Sequence, residues 1–115
     1  MESMAHLRLL RMAPRKVAVV ASLVRGKPVG AALNILKFTR RAAARPVAKL
    51  IQSAVANAND RSKGEVDVDM LYVKAISVDQ GPTMRRYLAR AMGRATRVNK
   101  KTSHIHVVLA EASRE

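Results

Sequence analysis

Residues 84–101 read MRRYLARAMGRATRVNKK, with seven arginines and lysines and no acid. The fold turns on this stretch, because two shapes compete for it. Arg86, Arg90, Arg94, Arg97 and Lys101 recur every three or four residues, with Met84, Leu88, Ala91, Ala95 and Val98 on a second face, the pattern of an amphipathic basic helix. Gly93 opposes it, since a mid-helix glycine costs about 1 kcal/mol relative to alanine. The other shape is a long hairpin that folds back near Met92 and Gly93, the midpoint counted inward from Gln80 and Ser103, where glycine takes positive φ without steric cost. With about ten residues in each arm it reaches roughly 33 Å, at about 3.3 Å per residue. Periodicity alone prefers the helix.

Under either shape the stretch is poor at standing free in water, because like charges repel and little apolar surface can be buried, so it is expected to be ordered by its partner. It connects two segments, DMLYVKAISVD and SHIHVVLAEA, that alternate with β-branched residues and read as strands, Leu71–Val78 and His104–Ala110. A connection of that length in a small domain is functional or disordered. Arginine outnumbers lysine in it five to two, and the planar guanidinium binds phosphate bidentately and stacks on bases.

Upstream, MAHLRLLRMA (residues 4–13) alternates weakly, as an edge strand does. Pro14 then stands where a first helical turn tolerates it and Gly26 where a helix stops, with Val17, Val20 or Ala21, and Val24 on one apolar face. Pro28 opens a second helix carrying Ala32, Leu33 and Leu36. Thr39 reads as the N-cap of a third, whose stripe of Ala43, Val47, Leu50, Ile51, Ala54, Val55 and Ala58 makes it the spine of the core. Pro46 lies inside that helix and requires either a kink or a start later than Thr39. Three helices on one face of a three-stranded antiparallel sheet give an α+β sandwich.

The whole chain has 115 residues, 49% of them apolar, enough for one domain with a modest core and without a deep catalytic cleft. Its 22 basic and 8 acidic residues give a formal charge of +14, a field that draws polyanions. No acid occurs between Glu2 and Asp60, nor between Asp79 and Glu111; the acids cluster at Asp60, Glu65, Asp67, Asp69 and Asp79. One side is therefore expected to face water and the rest a polyanion. There is no cysteine, which fits a reducing compartment. The apolar run Val17–Val24 is too short to span a bilayer and the N-terminus lacks signal-peptide features, so the expected location is the cytoplasm.

The segment GPTMRRYLARAMGRATRVNKKTSHIHVVL resembles the bacterial large-ribosomal-subunit protein twenty-two family. The resemblance rests on Gly81-Pro82, Met84, the pair Arg85 and Arg86, RAMGRA from Arg90 to Ala95, and KKTSHI leading into the last strand. Upstream, PRKVAVVASLVRGKPVGAALNIL and AKLIQSAVANA are similar to the family's helical body in order and spacing, so the likeness covers nearly the whole chain. It implies the long hairpin rather than the helix: a single ribosomal-protein domain with a body of residues 1–80 and 103–115 and a protruding hairpin of residues 81–102. It further implies a structural constituent of the large subunit that binds 23S ribosomal RNA, supports assembly and lines the nascent-peptide exit tunnel. Implied partners are that RNA, the nascent peptide in transit, and neighbouring ribosomal proteins including the one that shares the tunnel constriction. The chain would act as a monomer within the ribosome, with no membrane, small-molecule substrate or cofactor. Ala89 departs from a proline frequent in the family and Met92 from a polar or basic residue common there.

On this reading the hairpin set for ribosomal RNA is Arg85, Arg86, Arg90, Arg94, Arg97, Lys100 and Lys101, and the tunnel-lining tip is Met84, Arg90, Ala91, Met92, Gly93 and Arg94. The body set is Arg8, Arg11, Arg15, Lys16, Arg25, Lys27, Arg40, Arg41, Arg45 and Lys49. The rival is a free nucleic-acid-binding regulator using a basic helix in a duplex groove.

Catalytic readings fail. His104 and His106 share a strand face and His6 could approach on a neighbouring strand, but no carboxylate is close in sequence, and no metal site is expected. Ser103 beside His104 lacks triad partners. RGKPVG (residues 25–30) lacks P-loop spacing and reads as a helix-to-helix turn. Asp67 and Asp69, alternating with Val66 and Val68, read as a solvated strand edge. With Phe38, Tyr72 and Tyr87 as the sole aromatics, recognition should rest on phosphates and RNA shape rather than a stacking platform. Met12, Met70 and Met84 read as core filler.

Overall fold

In the computed structural model, which describes residues 2–65, 67–89, 93 and 95–111, Pro14 is the first residue of helix α1 (Pro14–Val24), where its missing N–H leaves no bond unmade. Val17, Val20, Ala21 and Val24 are fully buried, as their spacing requires. Gly26, at φ +78°, turns the chain, and the turn docks on a strand: Gly26 N–H donates to Val73 O and Val73 N–H to Lys27 O, both at 2.9 Å.

Helix α2 (Val29–Phe38) follows Pro28 and buries Ala32 and Leu36, with Leu33 packed at the core margin. Thr39, expected as the cap of the third helix, instead closes the second: its N–H donates to Leu36 O at 3.3 Å and its Oγ1 to Ile35 O at 2.7 Å. Helix α3 runs Ala44–Arg61, so the later start is the outcome that Pro46 selects. Pro46 is then the third helical residue, where a backbone N–H has no partner inside the helix and no kink is needed. Val47, Leu50, Ile51, Ala54 and Ala58 are buried, and Val55 packs at the margin.

Strand β1 (Glu2–Leu10) starts before the alternating stretch does, β2 (Leu71–Gln80) runs past Val78, and β5 (Ser103–Glu111) gains a residue at each end. They form an antiparallel sheet in the order β1-β5-β2, with Glu2 opposite Ala110 and Leu71 opposite Glu111. Ala5, Val73, Ile76, Ile105, Val107 and Leu109 face the helices. Two serines serve this core as hydrogen-bond donors: Ser3 Oγ donates to Ala54 O at 2.7 Å and Ser103 Oγ to Met12 O at 2.6 Å. Asp67 and Asp69 lie on no strand edge. Val68–Met70 is a 3-10 turn, capped by Asp67 Oδ1 accepting from Asp69 N–H at 3.0 Å, since an aspartate side chain offers the backbone a local alternative to the ladder.

The basic stretch forms a second, two-stranded sheet of β3 (Met84–Ala89) and β4 (Ala95–Lys100), so the helix favoured by periodicity is not adopted. The register supplies a reason. A helix would stack five cations in one row, whereas the ladder sets Met84 opposite Lys100, Arg85 opposite Asn99, Arg86 opposite Val98 and Tyr87 opposite Arg97. Among the described pairs no cation faces a cation directly, an arrangement that like charges favour. Gly93 has φ +76°, the conformation anticipated for it.

Candidate nucleic-acid interface

The chain reaches this interface by way of a turn that its own residues fix. Leu9 takes φ +58°, rare for a branched side chain, where the β1–β5 register shifts between Leu7 and Leu10, and its N–H donates to His104 Nδ1 at 3.1 Å. Met12 is then held from both sides, its N–H on Leu10 O at 2.8 Å and its carbonyl on Ser103 Oγ. This places Arg11 and Lys16 beside the α2–α3 turn, where Ala44 N–H donates to Arg41 O at 3.1 Å.

The end of β4 closes the third side. The result is a cleft of about 980 Å³ lined by Arg11, Met12, Ala13, Lys16, Arg41, Ala42, Ala43, Asn99, Lys100 and Lys101. Five of these are cations and none is an acid. The first turns of α1 and α3 also contain no acid, so nothing offsets the positive ends of the helix dipoles there. The cleft thus joins cations that lie in three separate parts of the sequence, and its chemistry suits a phosphate backbone.

The acids sit at the other end. Asp60 lies in the last turn of α3, and Glu65, Asp67 and Asp69 follow before β2, whereas Arg40, Arg41, Arg45 and Lys49 surround its start. Within α3, Arg45 and Asp60 are fifteen residues apart, about 22 Å at 1.5 Å per residue. Asp79 is the exception; Glu2 lies at the acidic end too, where Arg61 donates to its carbonyl. Glu2 pairs with Lys74, whose ammonium holds that carboxyl below the usual carboxylate range, and Asp79 Oδ2 lies 3.5 Å from His106 Nε2.

Other body cations disperse. Arg25 Nη2 donates to Ile76 O at 2.8 Å, so it also ties the α1–α2 turn to β2, and Lys27 is exposed beside it. Arg8, Arg15 and Arg40 are exposed outside the cleft, while Arg45 and Lys49 line a second groove. On the hairpin, Arg85, Lys100 and Lys101 are exposed. The side chains of Met84, Arg86 and Arg97, and residues Arg90, Ala91, Met92 and Arg94, lie outside what the structure describes.

His6 and His106 are directly opposite in the β1–β5 register and share an Nδ1–Nδ1 hydrogen bond, their rings edge to face. Asp79 joins them from β2, a neighbour that sequence distance concealed. Among the described residues no three His, Cys, Asp or Glu side chains are arranged to hold a metal ion. Phe38 was also missed as a surface feature; it is 73% exposed, with Lys37 Nζ 5.7 Å from its ring centre.

The hairpin's root is the least forgiving point. Gly81 N–H donates to Thr102 O at 2.9 Å, and the buried Thr102 Oγ1 donates to Pro82 O at 2.6 Å. A Cβ at position 81 would stand 2.5 Å from Thr102 Oγ1 and 3.1 Å from His104 Nε2. Gly81→Ala is expected to destabilise the isolated protein by about 1–3 kcal/mol, the usual cost of overpacking. The second substitution Thr102→Ala should recover part of that loss in chemical denaturation, and additive losses would place the strain elsewhere.

A profile of the Ribosomal protein L22p/L17e family matches residues 5–110. The large ribosomal subunit protein uL22 of Myxococcus xanthus is 75% identical over 114 residues, covering 99% of this chain and all of the relative. Its namesake from Geobacter sulfurreducens is 54% identical over 111 residues, covering 96% and 98%. That of Anaeromyxobacter sp. strain K is 61% identical over 110 residues, covering 96% and 75%. A match across both sheets and all three helices, at this identity, means that the chain belongs to the ribosomal protein L22p/L17e family and is a structural, non-enzymatic protein of the large ribosomal subunit in the bacterial cytoplasm.

Proposed function

We propose that the chain binds 23S ribosomal RNA through phosphates and RNA shape, supports subunit assembly, and uses residues 81–102 as an arm that lines the nascent-peptide exit tunnel. The observation that carries this reading is the cleft, because Arg11, Lys16 and Arg41 of the body and Lys100 and Lys101 of the hairpin converge without an acid among them. Phosphates entering between body and arm would neutralise both at once. The separate β3–β4 sheet and the elongated dimensions of 68 × 26 × 18 Å also favour an arm.

In this division of labour Arg11, Lys16, Arg41, Lys100 and Lys101 hold RNA at the root, and Arg8, Arg15, Arg25, Lys27 and Arg40 contact it from the body surface. Arg85, Arg86, Arg90, Arg94 and Arg97 neutralise phosphates along the arm. Met84 and residues 90–94 face the tunnel, the nascent peptide and the ribosomal protein that shares the constriction. The chain serves as a monomer, without cofactor or small-molecule substrate.

Sedimentation of extract carrying a tagged chain, after a high-salt wash, tests this reading. Stoichiometric retention on large subunits is expected, since exposed phosphate contacts weaken steeply with salt whereas a threaded arm is held. Arg90→Glu with Arg94→Glu should lower occupancy at least tenfold while leaving the melting temperature of the free body unchanged. Release of the wild-type chain by the wash, or normal occupancy of the double variant, would count against the arm.

A further inference from the structure

The three-stranded sheet has two edges, and the chain covers part of each. Along the first part of β2, Gly26–Pro28 hydrogen-bonds to Val73 and bridges to Tyr72, and Arg25 Nη2 donates to Ile76 O. Along β1, Asn57 Nδ2 donates to Met4 O at 3.0 Å and Arg61 Nη1 to Glu2 O at 3.1 Å. Those two carbonyls therefore point away from β5, and the alternation of an antiparallel ladder puts the backbone of His6 on the same outer side. There the cover from α3 stops.

Beside that open length lies a groove of about 530 Å³ between β1 and the first turns of α3. Leu7, Leu10, Pro46 and Leu50 supply its apolar surface, and the exposed Arg45 and Lys49 stand in it with no acid among the lining residues. Natural sheets cover or charge an edge that has no partner. This one combines a free strand edge, an apolar floor and two cations, the three features that receive an extended peptide by strand addition.

We propose that this groove docks an extended segment of a neighbouring protein, which adds to the edge of β1 near His6, sets an apolar side chain on Leu7 and Leu50, and turns a carboxylate toward Arg45 and Lys49. RNA suits the site less well, because a phosphate backbone laid there would be desolvated over leucine and proline. A second copy of this chain suits it least, since a chain of formal charge +14 would bring like charge to a basic rim. The inference goes beyond the RNA reading and moves Arg45 and Lys49 from phosphate contacts to a protein site.

Large subunits assembled with the full chain, carrying p-benzoylphenylalanine in place of the exposed groove residue Ser53, provide the test. Irradiation followed by nuclease and protease digestion identifies what is attached. The expected product is a protein segment with an apolar residue within two positions of an aspartate or glutamate. Its yield per incorporated chain should fall at least tenfold with Lys49→Glu and Arg45→Glu, and survive Lys49→Arg. Attachment to RNA, attachment to a protein with no charge dependence, or no attachment at full occupancy would each overturn the proposal. The same photo-reactive residue replacing Lys101 separates the two readings: RNA attachment there keeps the RNA reading whatever happens at position 53, and its absence counts against the RNA reading alone.

Discussion

Replacing Arg11, Lys16, Lys100 and Lys101 together with glutamate is expected to lower affinity for large-subunit RNA by roughly 10²–10³-fold at physiological salt, without lowering the melting temperature of the free protein. Each phosphate contact contributes about 0.7–0.9 to the dependence of log affinity on log salt, so the loss of four should flatten that slope by roughly 3. The four side chains are exposed and line one cleft, so the fold does not depend on them, and surface changes of this kind alter stability by about 0.5 kcal/mol or less. Filter binding at several salt concentrations measures both quantities. Reversal of Lys63 and Lys74, cations at the end of the molecule that carries most of the acids, is the control. If it costs as much per site, overall charge is what the RNA senses and the cleft has no special part.

Some of that arrangement is legible in the sequence, and the reasons differ from element to element. The faces of α1 and α3 follow from 3.6-residue spacing because burial is the dominant constraint on them. Pro46 narrows the start of α3 to two outcomes, and the position of Thr39 then depends on whether its hydroxyl caps backward or forward, a choice that local pattern does not make. The basic stretch misleads in the opposite direction. Arginines at helical intervals satisfy the helix template, yet the cross-strand register that keeps cations apart appears only once β3 is laid beside β4. The family resemblance selected a hairpin where periodicity selected a helix.

The interface was legible in its parts and not in its assembly. Each cation of the cleft stands in an acid-free stretch, so its type and polarity are evident. That residues near 11, 41 and 100 meet depends on Ser103 holding Met12 O and on the register shift at Leu9, neither of which has a sequence signature. Asp79 beside His106 is a cross-strand neighbour of the same kind. The groove beside β1 is harder still, because it is defined by where Asn57 and Arg61 stop covering the edge.

Ile51→Ala should have the largest effect on the body. Ile51 is fully buried on the face of α3 that packs against the sheet, and removing its side-chain carbons leaves a cavity that costs about 2–5 kcal/mol. Set against a total stability of about 5–15 kcal/mol for a domain, that is a large fraction, and at roughly 4–8 °C per kcal/mol the free protein should melt about 8 °C lower or more. Gln52→Ala, one residue along on the exposed face, should change it little. The contrast should shrink inside the ribosome. A partner that binds only the folded form adds about 2.7 kcal/mol when present at a hundred times its dissociation constant, so chains already incorporated remain folded while the free pool is depleted. Thermal denaturation of the purified variant, paired with its occupancy in subunits at permissive and raised growth temperature, reads both effects. An unchanged melting midpoint would remove α3 as the spine of the core. A lowered midpoint with equal loss from free and assembled pools would mean that the RNA does not hold the body, leaving the arm alone to anchor the chain.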